Sequence, residues 1–230
     1  MNKGIVATGS KEATQAAADI LRTGGNAFDA AVSAVFTSMT SEFALTGVGG
    51  GGAMMISTSG SEPILYDFFV DTPPRTGKEE LDFFDVEVDF GDSTQIFHMG
   101  KGSAAIPGTL LGLVTVHEQF GILPLSDVIK PAIQLARTGS LLNKKQAFIF
   151  KLLEPIFSHT AEGRALFYSQ GKILAEGDRF INSDFADFLE RVSLEGASFL
   201  YLGDGAKLIS KTFSEGGLLN EKALSLYHVA

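Results

Sequence analysis

Between Lys11 and Arg22 the apolar residues Ala13, Ala16, Ala17, Ile20 and Leu21 fall at i, i+3, i+4, i+7 and i+8. That spacing lines one face of a helix. Ser10 stands at the N-cap position and Gly24-Gly25 at the stop, so the pattern predicts a helix over 11–22. Asn26 caps a second pattern, in which Phe28, Ala31, Val32, Val35, Phe36, Met39 and Phe43 keep the same spacing. Ala27, Ala30 and Ala34 fill much of its other side, which predicts a helix buried nearly all round. The short joint Thr23-Gly24-Gly25 makes the two a helical hairpin, and their small side chains imply close approach.

After Leu45 the period changes. The run Gly47-Val48-Gly49-Gly50-Gly51-Gly52 leads into Ala53-Met54-Met55-Ile56-Ser57, which reads as a buried strand. A turn at 59–63 and a second strand over 64–70 follow, and Thr72-Pro73-Pro74 ends it because proline cannot donate to a ladder. Val86 to Phe90 alternates with one wet face, turns at Gly91-Asp92-Ser93 and returns over 94–99 as a β-hairpin.

Pro107-Gly108 opens a helix in which Leu110, Leu113, Val114 and His117 share a face, ending at Phe120-Gly121. Ile129, Ala132, Ile133 and Ala136 align over 126–137, where Pro131 predicts that the regular part starts near Lys130. Shorter helical stretches are expected at 144–157, 161–168, 183–194 and 206–214. The chain changes character near 100–108, from a strand-containing first part to a mostly helical second part, within one unit spanning 1–230.

The composition sharpens this picture. In 230 residues, 45% are hydrophobic and 20% charged, which excludes a disordered chain. Eighteen basic against 27 acidic residues give a net charge of −9, which argues against nucleic-acid and membrane-surface roles. No apolar run approaches the roughly 18 residues of a membrane span. The opening residues carry one lysine and a short apolar stretch, too short for a secretory leader, so a cytoplasmic location is expected. The absence of cysteine removes disulfides, thiolate nucleophiles and thiolate metal sites together.

Residue chemistry alone discloses no complete active site. Gly47, Gly49 and Gly52 match G-x-G-x-x-G, but a helix precedes them and a strand follows, the reverse of a dinucleotide turn. The alternative is a backbone packed too closely for any Cβ, or held at positive φ. His98, His117, His159 and His228 show no metal-ligand spacing, and no cofactor or metal is implied. His98, in a strand pattern, and His117, on an apolar helix face, read as structural. Asp85, Glu87, Asp89 and Asp92 read as a solvated sheet face. Arg75, after the double proline, is a lone cation near a strand end, where loops commonly carry ligand contacts.

The order of several segments adds a resemblance. Gly4-Ile5-Val6-Ala7-Thr8, then the run from Ala17 through Asn26-Ala27-Phe28-Asp29-Ala30-Ala31-Val32, resembles the opening of γ-glutamyltranspeptidases. Thr46 to Met54 is similar to that family's next block, and Ser103-Ala104-Ala105-Ile106-Pro107-Gly108-Thr109 to its third. Phe120-Gly121, Pro124-Leu125, the run 131–136, Glu176-Gly177-Asp178-Arg179 and Gly216-Gly217-Leu218-Leu219 continue in order, so the resemblance covers essentially the whole chain.

The resemblance implies an α+β fold, the large-subunit part of an N-terminal-nucleophile hydrolase αββα sandwich. It implies a precursor that cuts itself before a threonine, which then attacks a γ-glutamyl amide such as glutathione. That threonine falls beyond Ala230, on a small-subunit or C-terminal portion expected as partner, so no catalytic residue is assigned within this chain, and the chain alone is expected to be inactive. Apolar surface left exposed would mark where that portion packs. Where the family carries an arginine for the substrate carboxylate, this chain has Phe69 or Val70, within Asp67-Phe68-Phe69-Val70-Asp71-Thr72-Pro73-Pro74. Neither side chain can form a bidentate clamp. Phe69, Asp71 and Arg75 are the candidate substrate-binding residues, with Arg75 a possible substitute cation. The alternatives are a related amidase or acylase with a different acyl group, favoured by Phe68-Phe69, and a non-catalytic binding or structural protein of the same fold.

Overall fold

The computed structural model describes residues 4–75, 77 and 80–230; the first three residues, on which the leader reading partly rests, lie outside them. The helical hairpin forms as its pattern predicts, from α1 (Lys11–Arg22) and α2 (Ala27–Ser41). Ser10 Oγ accepts from the Ala13 N–H at 3.2 Å. Asn26 and Asp29 form a capping box, each side chain accepting the other's backbone N–H. Ala13, Ala17 and Ile20 pack on Ala30 and Ala34, and methyl-sized side chains let the helices approach closely. The opposite side of α2 sends Val32, Phe36 and Met39 into the main core, so most of its side chains are buried.

β1 (Gly52–Ile56) and β2 (Ile64–Phe68) pair antiparallel, with Gly52 opposite Phe68 and Met55 opposite Leu65. β3 (Phe84–Asp89) and β4 (Thr94–Met99) form the second hairpin, with Val88 buried and Asp85, Glu87 and Asp89 in solvent. The wet face predicted from the alternation is there. α3 (Thr109–Phe120) covers one face of β1–β2: Phe68 lies on Gly112, where a Cβ would meet ring carbon Cγ at 2.2 Å. On the same face Tyr66 donates to Gln119 Oε1 and sits edge-on to Phe120. The other face is uncovered, leaving Met55 67% and Leu65 54% exposed.

α4 (Leu125–Thr138) corrects one expectation, because it is helical from Leu125 with Pro131 inside it. Val128, Ile129, Ala132 and Ala136 are fully buried, and that packing outweighs the hydrogen bond proline removes, a local cost of about 3 kcal/mol. The helix expected over 144–157 is two, α5 (Lys144–Leu152) and α6 (Glu154–Phe157), since Pro155 offers no N–H and restarts the turn. The remaining helices are α7 (Ala161–Phe167), α8 (Ser183–Glu195), α9 (Ser198–Tyr201), α10 (Asp204–Thr212) and α11 (Glu221–Leu226). Four two-residue strands, β5 (Ser140–Leu141), β6 (Tyr168–Ser169), β7 (Lys172–Ile173) and β8 (Arg179–Phe180), are too short to print a period in the sequence.

The main core joins α2 to Leu110 and Leu113 of α3, Ile129 of α4, Leu189 of α8 and Leu224 of α11. It therefore draws on residues both before and after 100–108. A separate aromatic core gathers Phe150, Phe167 and Phe180, with Phe43 and Phe157 against it. Among the described residues no helix is long and apolar enough to cross a membrane.

Candidate functional site

Beyond Phe68 the chain stays extended through Phe69-Val70-Asp71, and its backbone is gripped on both edges. Gly51 lies along one edge, where a Cβ would stand 2.4 Å from the Val70 nitrogen and 2.8 Å from the Phe68 oxygen. Only glycine fits there. On the other edge Asp67 exchanges both backbone hydrogen bonds with Ala230, at 2.8 and 2.9 Å. Asp71 does the same with Ile106, at 3.2 and 2.8 Å. Such reciprocal pairs are the narrow pairs of an antiparallel ladder. Between them, the Phe69 N–H donates to Asp67 Oδ1 at 2.9 Å, and the Phe69 carbonyl accepts from Tyr227 Oη at 2.7 Å.

A second close approach backs this segment. A Cβ on Gly108 would lie 2.0 Å from the Phe68 oxygen and 2.1 Å from Tyr227 Oη. The Gly50 carbonyl accepts from the N–H groups of Gly108 and Thr109, at 2.9 and 3.1 Å, tying the glycine run to the start of α3. Gly51 thus belongs to a crowded backbone crossing, as the non-nucleotide alternative required, whereas a Cβ on Gly50 would make only ordinary contact, nearest the Gly47 oxygen at 3.4 Å. Nothing in the structure explains Gly47 or Gly49, where a Cβ would meet open space.

The result is a ledge with a fixed backbone and exposed side chains. Phe69 is 68% exposed although its backbone is fixed at both ends. Asp67 and Asp71 are exposed beside it, and Asp71 Oδ1 also accepts the Thr72 N–H at 2.7 Å. Phe69 and Asp71 are therefore brought together on one wall. Arg75 lies past Pro73-Pro74, exposed, and makes no hydrogen bond or ion pair with a described residue. Tyr227 is held above the ordinary tyrosine range by burial first and by the charges of Asp67 and Asp71 next. It stays a donor at neutral pH.

The ledge offers an apolar ring, two carboxylates and backbone rigidity, which suits holding a substrate. His98 pairs across the hairpin with Asp85 at 2.8 Å, and buried His117 sits 3.0 Å from the Leu123 oxygen, so neither serves the wall. Sequence reasoning missed Tyr227, Gly108 and Ala230. Tyr227 lies 158 positions from Phe69, and no local pattern announces such a partner.

Comparison with known proteins places this arrangement. The family described as gamma-glutamyltranspeptidase matches residues 13–230. The glutathione hydrolase proenzyme of Escherichia coli K12 is 30% identical over 229 residues, which are 98% of this chain and 38% of that protein. The acylase ACY 1 proenzyme of Pseudomonas sp. SE83 is also 30% identical, over 99% of this chain and 41% of its own length. Among solved structures, Helicobacter pylori gamma-glutamyltranspeptidase superposes with a TM-score of 0.86 at 28% identity, covering all of this chain and 65% of that one. The chain thus spans about 40% of the curated relatives, and the part it matches is their N-terminal portion. The helix-rich α+β arrangement is the large-subunit part of that fold.

Proposed function

Because this chain belongs to the γ-glutamyltranspeptidase family, we propose that it forms the scaffold and one substrate wall of an enzyme that hydrolyses or transfers γ-glutamyl groups. The substrates are glutathione-like amides. The observation that carries this reading is the family match over nearly the whole chain, joined to a rigid ledge at Phe69–Asp71. The nucleophile is a threonine of the C-terminal portion that the longer relatives possess. Its hydroxyl adds to the amide carbonyl, its own α-amine takes the proton and returns it to the departing amine, and an ester to the threonine remains. Water or an amino acid then takes the acyl group and frees the threonine. On this wall Arg75 supplies the cation for the substrate carboxylate, and Asp71 accepts from its ammonium group. The C-terminal portion covers the open face of β1–β2, where Met55 and Leu65 stand in solvent.

A second reading has its own support. Phe69 presents an exposed aromatic ring at the wall, and one relative of equal identity is an acylase. An apolar ring selects an acyl group without the charges of glutamate.

The test is turnover by the whole purified protein of a γ-glutamyl anilide and of an uncharged arylacetyl anilide. Release of aniline from the first supports the γ-glutamyl reading. Release from the second alone transfers support to the acylase reading, and a folded protein that cleaves neither overturns both.

A further inference from the structure

Tyr227 and Tyr201 stand face to face, ring centroids 5.9 Å apart and planes 18° from parallel. Each spends its hydroxyl on a backbone carbonyl far away in sequence. Tyr227 Oη donates to Phe69 O, and Tyr201 Oη donates to Pro107 O, both at 2.7 Å. Those two carbonyls flank the ledge: Phe69 lies on it, and Pro107 follows Ile106, which pairs with Asp71. Tyr201 is buried among the residues of the main core, and Tyr227 packs against that core. The stack therefore connects the ledge to the main core.

Phe69 needs such a tie. Its neighbours Asp67 and Asp71 each have a reciprocal backbone pair, with Ala230 and Ile106. Phe69, between them, has only the Asp67 carboxylate on its N–H and Tyr227 on its carbonyl. Remove the Tyr227 hydroxyl and the carbonyl loses that donor, so the exposed ring can turn away. Gly108 makes the arrangement possible, because any side chain there would occupy the place of Tyr227 Oη.

We infer that Tyr227, braced by Tyr201, is a positioning residue that fixes Phe69 and Asp71 in the geometry that receives the acyl group. This rests on the reading of Phe69–Asp71 as the substrate wall. It touches no reacting atom, so its loss is felt in binding before chemistry.

The test compares Tyr227→Phe with Tyr66→Phe in the whole protein. Both delete a phenol hydroxyl that serves β2 or its extension, but Tyr66 bonds Gln119 on the helix-covered face. The first readout is amide hydrogen exchange over residues 67–72. Tyr227→Phe is expected to speed exchange at Phe69 and Asp71 about five-fold, the equivalent of one ordinary hydrogen bond. Tyr66→Phe is expected to leave those amides unchanged. The second readout is kinetic: Tyr227→Phe raises KM for the cleaved anilide about five-fold and leaves kcat within about two-fold. Unchanged exchange, or equal acceleration in both variants, overturns the inference. So does an unchanged KM in an active enzyme. If the wild-type protein cleaves neither anilide, the functional reading falls, and the exchange result alone decides whether Tyr227 positions the ledge.

Discussion

Asp29 Oδ1 lies 3.6 Å from Nε2 of His117, joining the first turn of α2 to the last turn of α3 inside the protein. The Asp29 side chain is fully buried and also accepts the N–H groups of Asn26 at 2.9 Å and Ile122 at 3.2 Å. His117 Nε2 is 3.0 Å from the Leu123 oxygen, so with two oxygens around it Nε2 carries the proton. One carboxylate thereby holds a helix start, a loop and a ring. Asp29→Ala takes the acceptor from the Asn26 and Ile122 N–H groups and the carboxylate from His117, and is expected to cost about 3 kcal/mol. Asp29→Asn, which keeps one acceptor, is expected to cost about half as much. Urea denaturation of the two variants measures the difference, and equal stability of Asp29→Ala and wild type would refute the account.

Two glycines of one run should respond oppositely to the same methyl group. Gly51→Ala drives Cβ into the Val70 nitrogen, backbone against backbone, and is expected to destabilise by more than about 2 kcal/mol. Gly49→Ala meets nothing within 4 Å and is expected to stay within about 0.5 kcal/mol of wild type. Thermal melts of both variants decide it. Similar losses at both positions would mean that the run acts through flexibility rather than through close approach.

Arg75 is the exposed cation of the 67–75 segment. If it meets the substrate carboxylate, Arg75→Ala raises KM for a γ-glutamyl anilide about ten-fold with kcat little changed. The same variant should leave KM for an uncharged anilide as it was. No rise in KM for the γ-glutamyl compound removes Arg75 from the wall.

Alkali should unfold this protein through its tyrosines. Burial raises the Tyr201 phenol far above its ordinary value, and burial with nearby carboxylates raises Tyr227. The unfolded chain gives up these protons near pH 10 while the folded chain keeps them. The stability they contribute is therefore fully present below about pH 10 and declines as pH rises further. An ultraviolet phenolate titration should show Tyr201 ionising together with the loss of far-ultraviolet circular dichroism. Ionisation of all four tyrosines with the fold intact would contradict the burial of Tyr201.

Local signals in the sequence proved readable where the structure is local. α1 begins and ends at the residues its cap and its glycines indicate, because Ser10 acts three residues away and Gly24 ends the pattern at positive φ. The wet face of β3 follows from alternation alone. Pro131 misled, since a rule about one missing N–H cannot weigh the buried face of α4. The candidate wall was readable only through the order of segments shared with a family. Phe69 carries no mark of what grips it, because Gly51, Ile106, Tyr227 and Ala230 meet its segment from distant parts of the chain. Sequence periodicity records which face of an element is dry; it does not record which distant carbonyl a hydroxyl will find.

The aromatic core has a consequence of a different kind. Phe150, Phe157, Phe167 and Phe180 pack on one another, with Phe157 and Phe167 stacked at 4.1 Å, and Phe43, in the turn after α2, touches Phe167 and Phe180. Residues 140–180, together with Phe43, thus share an interior distinct from the core that braces the ledge. A lobe of this sort can breathe as a unit. Its tie to the helical hairpin runs through Phe43 and through Gln146, which donates to the Ser41 carbonyl.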